Sequence, residues 1–180
     1  MRISGGALRN RAVPSPSGSA VRPTPGKVKE ALFSIIGERI LEARVLDLYA
    51  GSGAIGFEAL SRGAERVVFV EMHAPTAAAI KRTAERFGVE SKIGVMCAPA
   101  ETAARRVPGR FDLVYADPPY TSAPPHLTFG TLRQRGAIDA ATILVYEHRD
   151  GASLFESPGF TTVREARYGE TALQFLQVAA

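Results

Sequence analysis

The sequence predicts an α/β domain: a doubly wound, mostly parallel sheet of seven strands, closed by a terminal antiparallel hairpin and preceded by a small basic extension. Three observations point there. Short apolar runs alternate with amphipathic stretches, as parallel strands alternate with crossover helices. Gly51, Gly53 and Gly56 fall where an apolar run gives way to helical spacing, at the carboxyl end of a strand where open α/β sheets hold their ligands. The last two apolar runs are separated only by a short turn at Gly169, which suits a hairpin rather than a crossover.

Composition narrows the class. At 180 residues and 46% hydrophobic content the chain can bury one sizeable core. Its apolar runs are too short for a membrane span and its first residues lack a signal peptide's apolar core, so a soluble cytoplasmic protein is expected. A single cysteine, Cys97, excludes an internal disulfide framework, and with three scattered histidines no metal site is expected. The net charge of +4 is uneven. Arg2, Arg9, Arg11, Arg22, Lys27 and Lys29 crowd the first 29 residues, which hold no acid. A basic arm of this kind either meets the phosphates of a nucleic acid or is a solvated tail.

Along the chain, residues 1–24 form the basic extension and 25–180 the main domain. Ile3, Leu8 and Val13, set among Gly5, Gly6 and Asn10, suit a short β-hairpin. Pro14 to Gly18 reads as a loop, and Thr24 before Pro25 as a helix start. Val28, Ala31, Leu32, Ile35 and Ile36 give an apolar face to a helix over about Lys27 to Arg39, with Lys27 and Lys29 near the arm. Val45 to Tyr49 is a strand apolar on both faces apart from Asp47, followed by the glycine turn and a helix.

Val67 to Val70 is a second strand, ending at Glu71, twenty residues beyond Gly51. Nucleotide-binding folds put an acid there to accept hydrogen bonds from ribose hydroxyls. Met72 beside it suits either an adenine face or a core gap. Ala77 to Phe87 is a helix stopped by Gly88, and Ile93 to Cys97 a third strand with Cys97 as a small buried hydrophobe. Phe111 to Ala116 is the fourth strand, followed by a helix to about Gln134, a strand over Ile143 to Glu147, and a hairpin of Phe160 to Arg167 with Ala172 to Val178.

The fourth strand delivers Asp117, Pro118, Pro119 and Tyr120. This arrangement suits an amine conjugated to a planar ring, whose lone pair is delocalised and poorly nucleophilic. The Asp117 carboxylate and the Pro118 carbonyl could accept its two hydrogens and localise that lone pair. Two prolines hold those oxygens in place beforehand, and Tyr120 offers a stacking face for an extruded base.

The spelling D-L-Y-A-G-S-G over Asp47 to Gly53 resembles motif I of the class I S-adenosylmethionine-dependent methyltransferases. The resemblance assigns Asp47, Tyr49, Gly51, Ser52, Gly53, Glu71 and Met72 to that cofactor, with Asp47 serving its methionine end. Such enzymes often carry a polar side chain near Ala98 to meet the adenine amine; here backbone groups at Ala98 would substitute.

A narrower likeness covers nearly the whole chain. M-R-I-S-G-G at Met1 to Gly6, R-P-T-P-G-K-V-K-E-A-L-F-S-I-I at Arg22 to Ile36, E-A-L-S-R-G at Glu58 to Gly63, D-P-P-Y and Y-G-E-T-A-L at Tyr168 to Leu173 resemble the RsmD-type 16S ribosomal RNA guanine-N2 methyltransferases of bacteria. That resemblance implies methyl transfer from S-adenosylmethionine to guanine 966 during small-subunit maturation, with S-adenosylhomocysteine as product. It also implies RNA contact by the basic extension and a monomer acting on 16S ribosomal RNA within an assembly intermediate. Family members commonly have an acid and an arginine where this chain has Gly26 and Lys27. Two other readings share features: an adenine-N6 methyltransferase would share both motifs, and a NAD-binding oxidoreductase or nucleotide-binding module would share the glycines and Glu71.

Overall fold

The computed structural model describes residues 1–14, 26–119, 124–152 and 154–179. Arg22, Tyr120, most of the Pro14 to Gly18 loop and the Thr24–Pro25 helix start lie outside the described residues. Seven strands form one sheet: β1 (Arg44–Leu48), β2 (Arg66–Val70), β3 (Ile93–Met96), β4 (Leu113–Ala116), β5 (Ile143–Arg149), β6 (Phe160–Tyr168) and β7 (Thr171–Val178). Their order is β3-β2-β1-β4-β5-β7-β6, with β1 to β5 parallel and the last two antiparallel. The order reverses between β1 and β4, which is the crevice where this topology holds ligands.

The helices are α1 (Gly26–Ile36), α2 (Ala54–Ser61), α3 (Ala74–Phe87), α4 (Ala100–Ala104) and α5 (His126–Gln134). One apolar core gathers α1, α2 and α3 on one face of the sheet, and a second gathers α4 and α5 on the other. β1 is buried on both faces because it lies inside the sheet and between these layers. β6 is an edge strand; Arg164, Glu165 and Arg167 and a register shift between Thr162 and Arg164 are features that disfavour edge-to-edge pairing.

Several boundaries differ from the sequence expectation. α1 ends at Ile36, because Gly37 turns left-handed (φ 59°) and starts a 3-10 turn over Gly37–Ile40. Its buried stripe is Val28, Lys29, Leu32, Phe33 and Ile36 rather than one through Ala31 and Ile35. α3 starts three residues before Ala77, since Pro75 fits the first turn of a helix. α4 is too short to leave a periodic signal in the sequence. Cys97 is exposed, not buried, because β3 is the outer strand of its edge and Cys97 lies past its end.

The basic extension folds onto the domain instead of standing apart. Its strand pairing is a single bridge, Arg2 to Ala12, backed by Ile3 N–H to Arg11 C=O and Asn10 N–H to Ile3 C=O. Asn10 takes the left-handed turn position, with φ 68°. Ile3, Leu8 and Val13 enter the same core as α1 to α3. They cover the outer side of α2, and every residue of that helix is buried as a result.

Glu58 of α2 ties this arm down: its carboxylate accepts from the Ser4 and Gly5 amides (both 2.9 Å), the Ser4 hydroxyl (2.8 Å), Arg62 Nε (2.8 Å) and Lys29 Nζ. Close by, Gly6 passes so near the Ser61 carbonyl that a side chain there has no room.

Candidate active site

The site is built where β1, β2, β4 and β5 end. At the exit of β1, Tyr49 takes a left-handed conformation (φ 58°), followed by Gly51 (φ 52°) and Gly53 (φ 78°), so the backbone reverses within five residues and feeds α2. Ala50 N–H bonds to the Val70 carbonyl and Gly53 N–H to the Ala50 carbonyl, which pins the loop to β2. Gly56 does a different job. A Cβ there would lie 2.6 Å from Phe69 Cζ and 2.8 Å from Val67 Cγ1, so its absence lets α2 pack directly on β2.

Glu71 closes the loop from the other side. One carboxylate oxygen accepts from Gly51 N–H (2.9 Å) and the other from His73 N–H (2.8 Å). The acid expected to meet ribose hydroxyls therefore also shapes the glycine turn, and its remaining lone pairs can still accept. Met72 beside it is 71% exposed, so it fills no core gap and leaves a free apolar face. Ala98 is half-buried just past β3, before α4.

Asp47 lies one layer below, 1% exposed, with Oδ2 accepting from Gly56 N–H (3.0 Å). It braces the first turn of α2 against β1. Burial pushes its carboxyl well up, with the Gly56 bond opposing and the charges of Asp117 and Glu71 adding to the rise. Tyr49 is half-buried against the α4 and α5 layer; burial, then the Glu101 charge, pushes its hydroxyl up to about 12.

Asp117 follows β4 immediately. Its neighbour Pro118 is buried and Pro119 exposed, so the segment is anchored at one proline and open at the other. Burial pushes Asp117 up to about 7. Across the sheet, Ala116 registers with Tyr146 of β5, which places Asp117 beside Glu147, 3% exposed. Glu147 accepts a hydrogen bond from the Tyr115 hydroxyl, and burial followed by the Asp117 charge pushes it up to about 8. The sequence reading missed Glu147. Its signal was the one that marked Asp47, an acid inside a strand that is otherwise apolar.

The arrangement brings Asp47, Gly51, Glu71 and Asp117 to one end of the sheet and adds Glu147. Four carboxylates that raise or feel one another's charge, with no cation among the bonds described for them, favour a cationic ligand and oppose a diphosphate. A sulfonium carrying an α-ammonium group satisfies that field. Among the described residues no three histidines, cysteines or carboxylates are grouped to hold a metal, and no helix is long and apolar enough to cross a membrane.

The expected RNA contacts divide. Arg2, Arg9, Arg11 and Lys27 are exposed. Lys29 is not: it is 1% exposed and paired with Glu58, so it holds the arm in place and cannot reach a phosphate. Helical phase explains the difference, since Lys29 follows Val28 on the buried stripe of α1. His126 stacks on Phe155 at 4.5 Å and His148 is buried beside Tyr146, so both are packing residues.

The profile of the family Conserved hypothetical protein 95 matches residues 1–177. Ribosomal RNA small subunit methyltransferase D of Escherichia coli strain K12 is 31% identical over 179 residues, covering 98% of this chain and 89% of that one. The solved Escherichia coli protein yhhF superposes with a TM-score of 0.88 at 29% identity, over 100% of this chain and 98% of that one. A hypothetical protein of Thermus thermophilus superposes with a TM-score of 0.80 at 31% identity, over 99% of both. The chain belongs to the Conserved hypothetical protein 95 family, that of the RsmD-type ribosomal RNA methyltransferases.

Proposed function

We propose that this protein transfers a methyl group from S-adenosylmethionine to the exocyclic N2 amine of a guanine in 16S ribosomal RNA. The observation that carries the reading is a buried, acid-lined crevice with Asp117 and a buried Pro118 at its β4 wall, in a chain of this family. The cofactor would be held by Gly51, Ser52 and Gly53 of the loop, by Glu71 at its ribose and by Met72 and the Ala98 backbone at its adenine, with Asp47 beneath. When bound, it supplies an electrophilic methyl group on sulfur and leaves as S-adenosylhomocysteine.

The chain's own work is alignment and charge. Ionised Asp117 and the Pro118 carbonyl accept the two amine hydrogens and turn the nitrogen lone pair out of conjugation. The amine nitrogen would become cationic as it is methylated; ionised Asp117, with Glu147 beside it, would stabilise that charge, and the surplus N–H proton would pass to the Asp117 carboxylate or to water. Tyr120 would stack on the extruded guanine. The exposed cations of the arm, Arg2, Arg9, Arg11 and Lys27, would meet RNA phosphates. The substrate would be a small-subunit assembly intermediate in the cytoplasm, met by a monomer.

Nucleoside mass spectrometry tests this after incubation of protein and S-adenosylmethionine with undermethylated small subunits, stripped ribosomal RNA and duplex DNA in parallel. The expected product is N2-methylguanosine at one position of a ribosomal sample. N6-methyladenine in DNA, or no transfer with tight dinucleotide binding instead, would overturn it.

A further inference from the structure

The N-terminal arm and the last turn of α3 are locked together by two arginines. Arg11 Nη1 donates to the carbonyls of Arg86 (3.4 Å) and Phe87 (3.3 Å), closing the C-terminal end of α3, and Arg86 Nη2 returns a bond to the Ala12 carbonyl (2.6 Å). Both guanidinium groups also lie against the Phe87 ring, at 5.4 and 5.2 Å from its centroid. Two cations are thus held against one ring by carbonyls alone. Each guanidinium has five N–H donors and these contacts use few of them.

No carboxylate comes within ion-pairing distance of Arg9, Arg11, Arg82 or Arg86 among the described residues, although Glu85 lies on the same helix. Arg110 and Arg167 show the alternative arrangement: Arg110 pairs with Asp139, and Arg167 with Asp150 and Glu165. Arg82 is one helical turn before Arg86 on α3, exposed, and makes no hydrogen bond with the described residues. Like charges held together on backbone carbonyls, with no carboxylate paired to them among the described residues, favour a partner that carries repeated negative charge.

We propose that Arg82 and Arg86 of α3 continue the cationic face of the N-terminal arm and bind phosphates of the RNA backbone. The inference rests on the RNA substrate proposed above. The arm's cations then form one rigid strip with α3, and its attachment through Glu58 holds that strip in fixed relation to the cofactor loop at the other end of α2. RNA gripped there would be positioned before its base reaches Asp117.

The test is the salt dependence of binding to undermethylated small subunits and to protein-free 16S ribosomal RNA in parallel, measured for the wild type and for Arg82→Gln, Arg86→Gln and, as a control, Arg110→Gln. Loss of one phosphate contact lowers the slope of log K against log salt by about 0.7 to 0.9. That reduction is expected for Arg82→Gln and Arg86→Gln, with weaker binding at low salt, unchanged cofactor affinity and an unaltered slope for Arg110→Gln. Unchanged slopes in both α3 variants beside a steep wild-type slope would overturn the proposal. So would a fall in melting temperature of Arg86→Gln as its sole effect, which would leave the arginine pair as an interlock. A wild type with no salt-dependent RNA binding would instead overturn the substrate reading itself.

Discussion

Replacing Glu58 by alanine should unlock the N-terminal arm and destabilise the whole domain. In the folded protein this carboxylate is fully buried and is the partner of Lys29, itself 1% exposed. Its removal leaves an ammonium group enclosed with, among the described residues, only the Ser4 hydroxyl (3.0 Å) as acceptor and strips the Ser4 and Gly5 amides of theirs. Breaking a buried pair on one side costs about 3 to 5 kcal/mol, a large fraction of the roughly 5 to 15 kcal/mol that holds a domain folded.

For a chain of this size each kcal/mol moves the melting temperature by about 2 to 4 °C, so a fall of about 6 to 20 °C is expected in thermal unfolding followed by circular dichroism at neutral pH. Replacing Lys29 and Glu58 together by methionine removes both charges at similar volume and should recover much of the loss. The difference is also pH-dependent. Burial alone would raise Glu58, but Lys29, Ser4 and Arg62 outweigh it and hold the carboxyl below its ordinary range. Its stabilisation is therefore complete above the ordinary glutamate range and is lost as pH falls through the folded value, so wild-type and Glu58→Ala melting temperatures should converge in acid. An alanine variant melting within about 2 °C of wild type at neutral pH would refute the argument.

The site carries its own expected outcomes. Asp117→Ala should lower single-turnover methylation by about 100-fold or more while cofactor affinity, measured by calorimetry, stays near wild type; a loss of affinity matching that of Asp47→Ala would contradict the division of labour between them. Because ionised Asp117 is the stronger acceptor and the form that stabilises the developing cation, the wild-type single-turnover rate should climb as pH rises through about 7, and a rate flat across that range would remove the carboxylate from the mechanism. The same raised values mean that the folded state holds protons the unfolded chain has released between the ordinary carboxylate range and about 7 to 8, so this cluster's contribution to stability falls as pH rises there, and Glu147→Gln should flatten the fall. Gly56→Ala must push the Phe69 ring or lift α2, at about 1 to 3 kcal/mol, and cofactor affinity should fall with it; unchanged stability and affinity would show that the helix has slack.

Truncating the arm is a poor test of RNA contact in this chain. Ile3, Leu8 and Val13 belong to the domain's own core, so a deletion exposes α2 along with removing cations. Single substitutions at exposed arginines separate the two effects.

The strand–glycine–helix junction, Glu71 at the second strand and Asp117 after the fourth were legible because each depends on local chemistry: a left-handed turn favours glycine, a strand acid in an apolar run needs a partner, and paired prolines stiffen a turn. Alternating apolar runs likewise set strand number and fold class. Helix ends were less legible, as at Gly37, where a left-handed glycine ended α1 although the apolar periodicity ran on.

Contacts between residues far apart in the chain were decided by the tertiary structure alone. Lys29 and Glu58 are 29 residues apart, and composition makes the lysine look like one more cation of a basic arm. Folding buries both and turns that cation into an anchor. Glu147 became part of the site only when β4 and β5 paired and set it beside Asp117, and Arg11 met Arg86 only when the arm folded across the end of α3. Sequence by itself determined the local conformations and the chemistry offered at each strand end, because these act within a few residues; which charges are paired, buried or left facing solvent depends on desolvation and on neighbours that only the packed chain brings together.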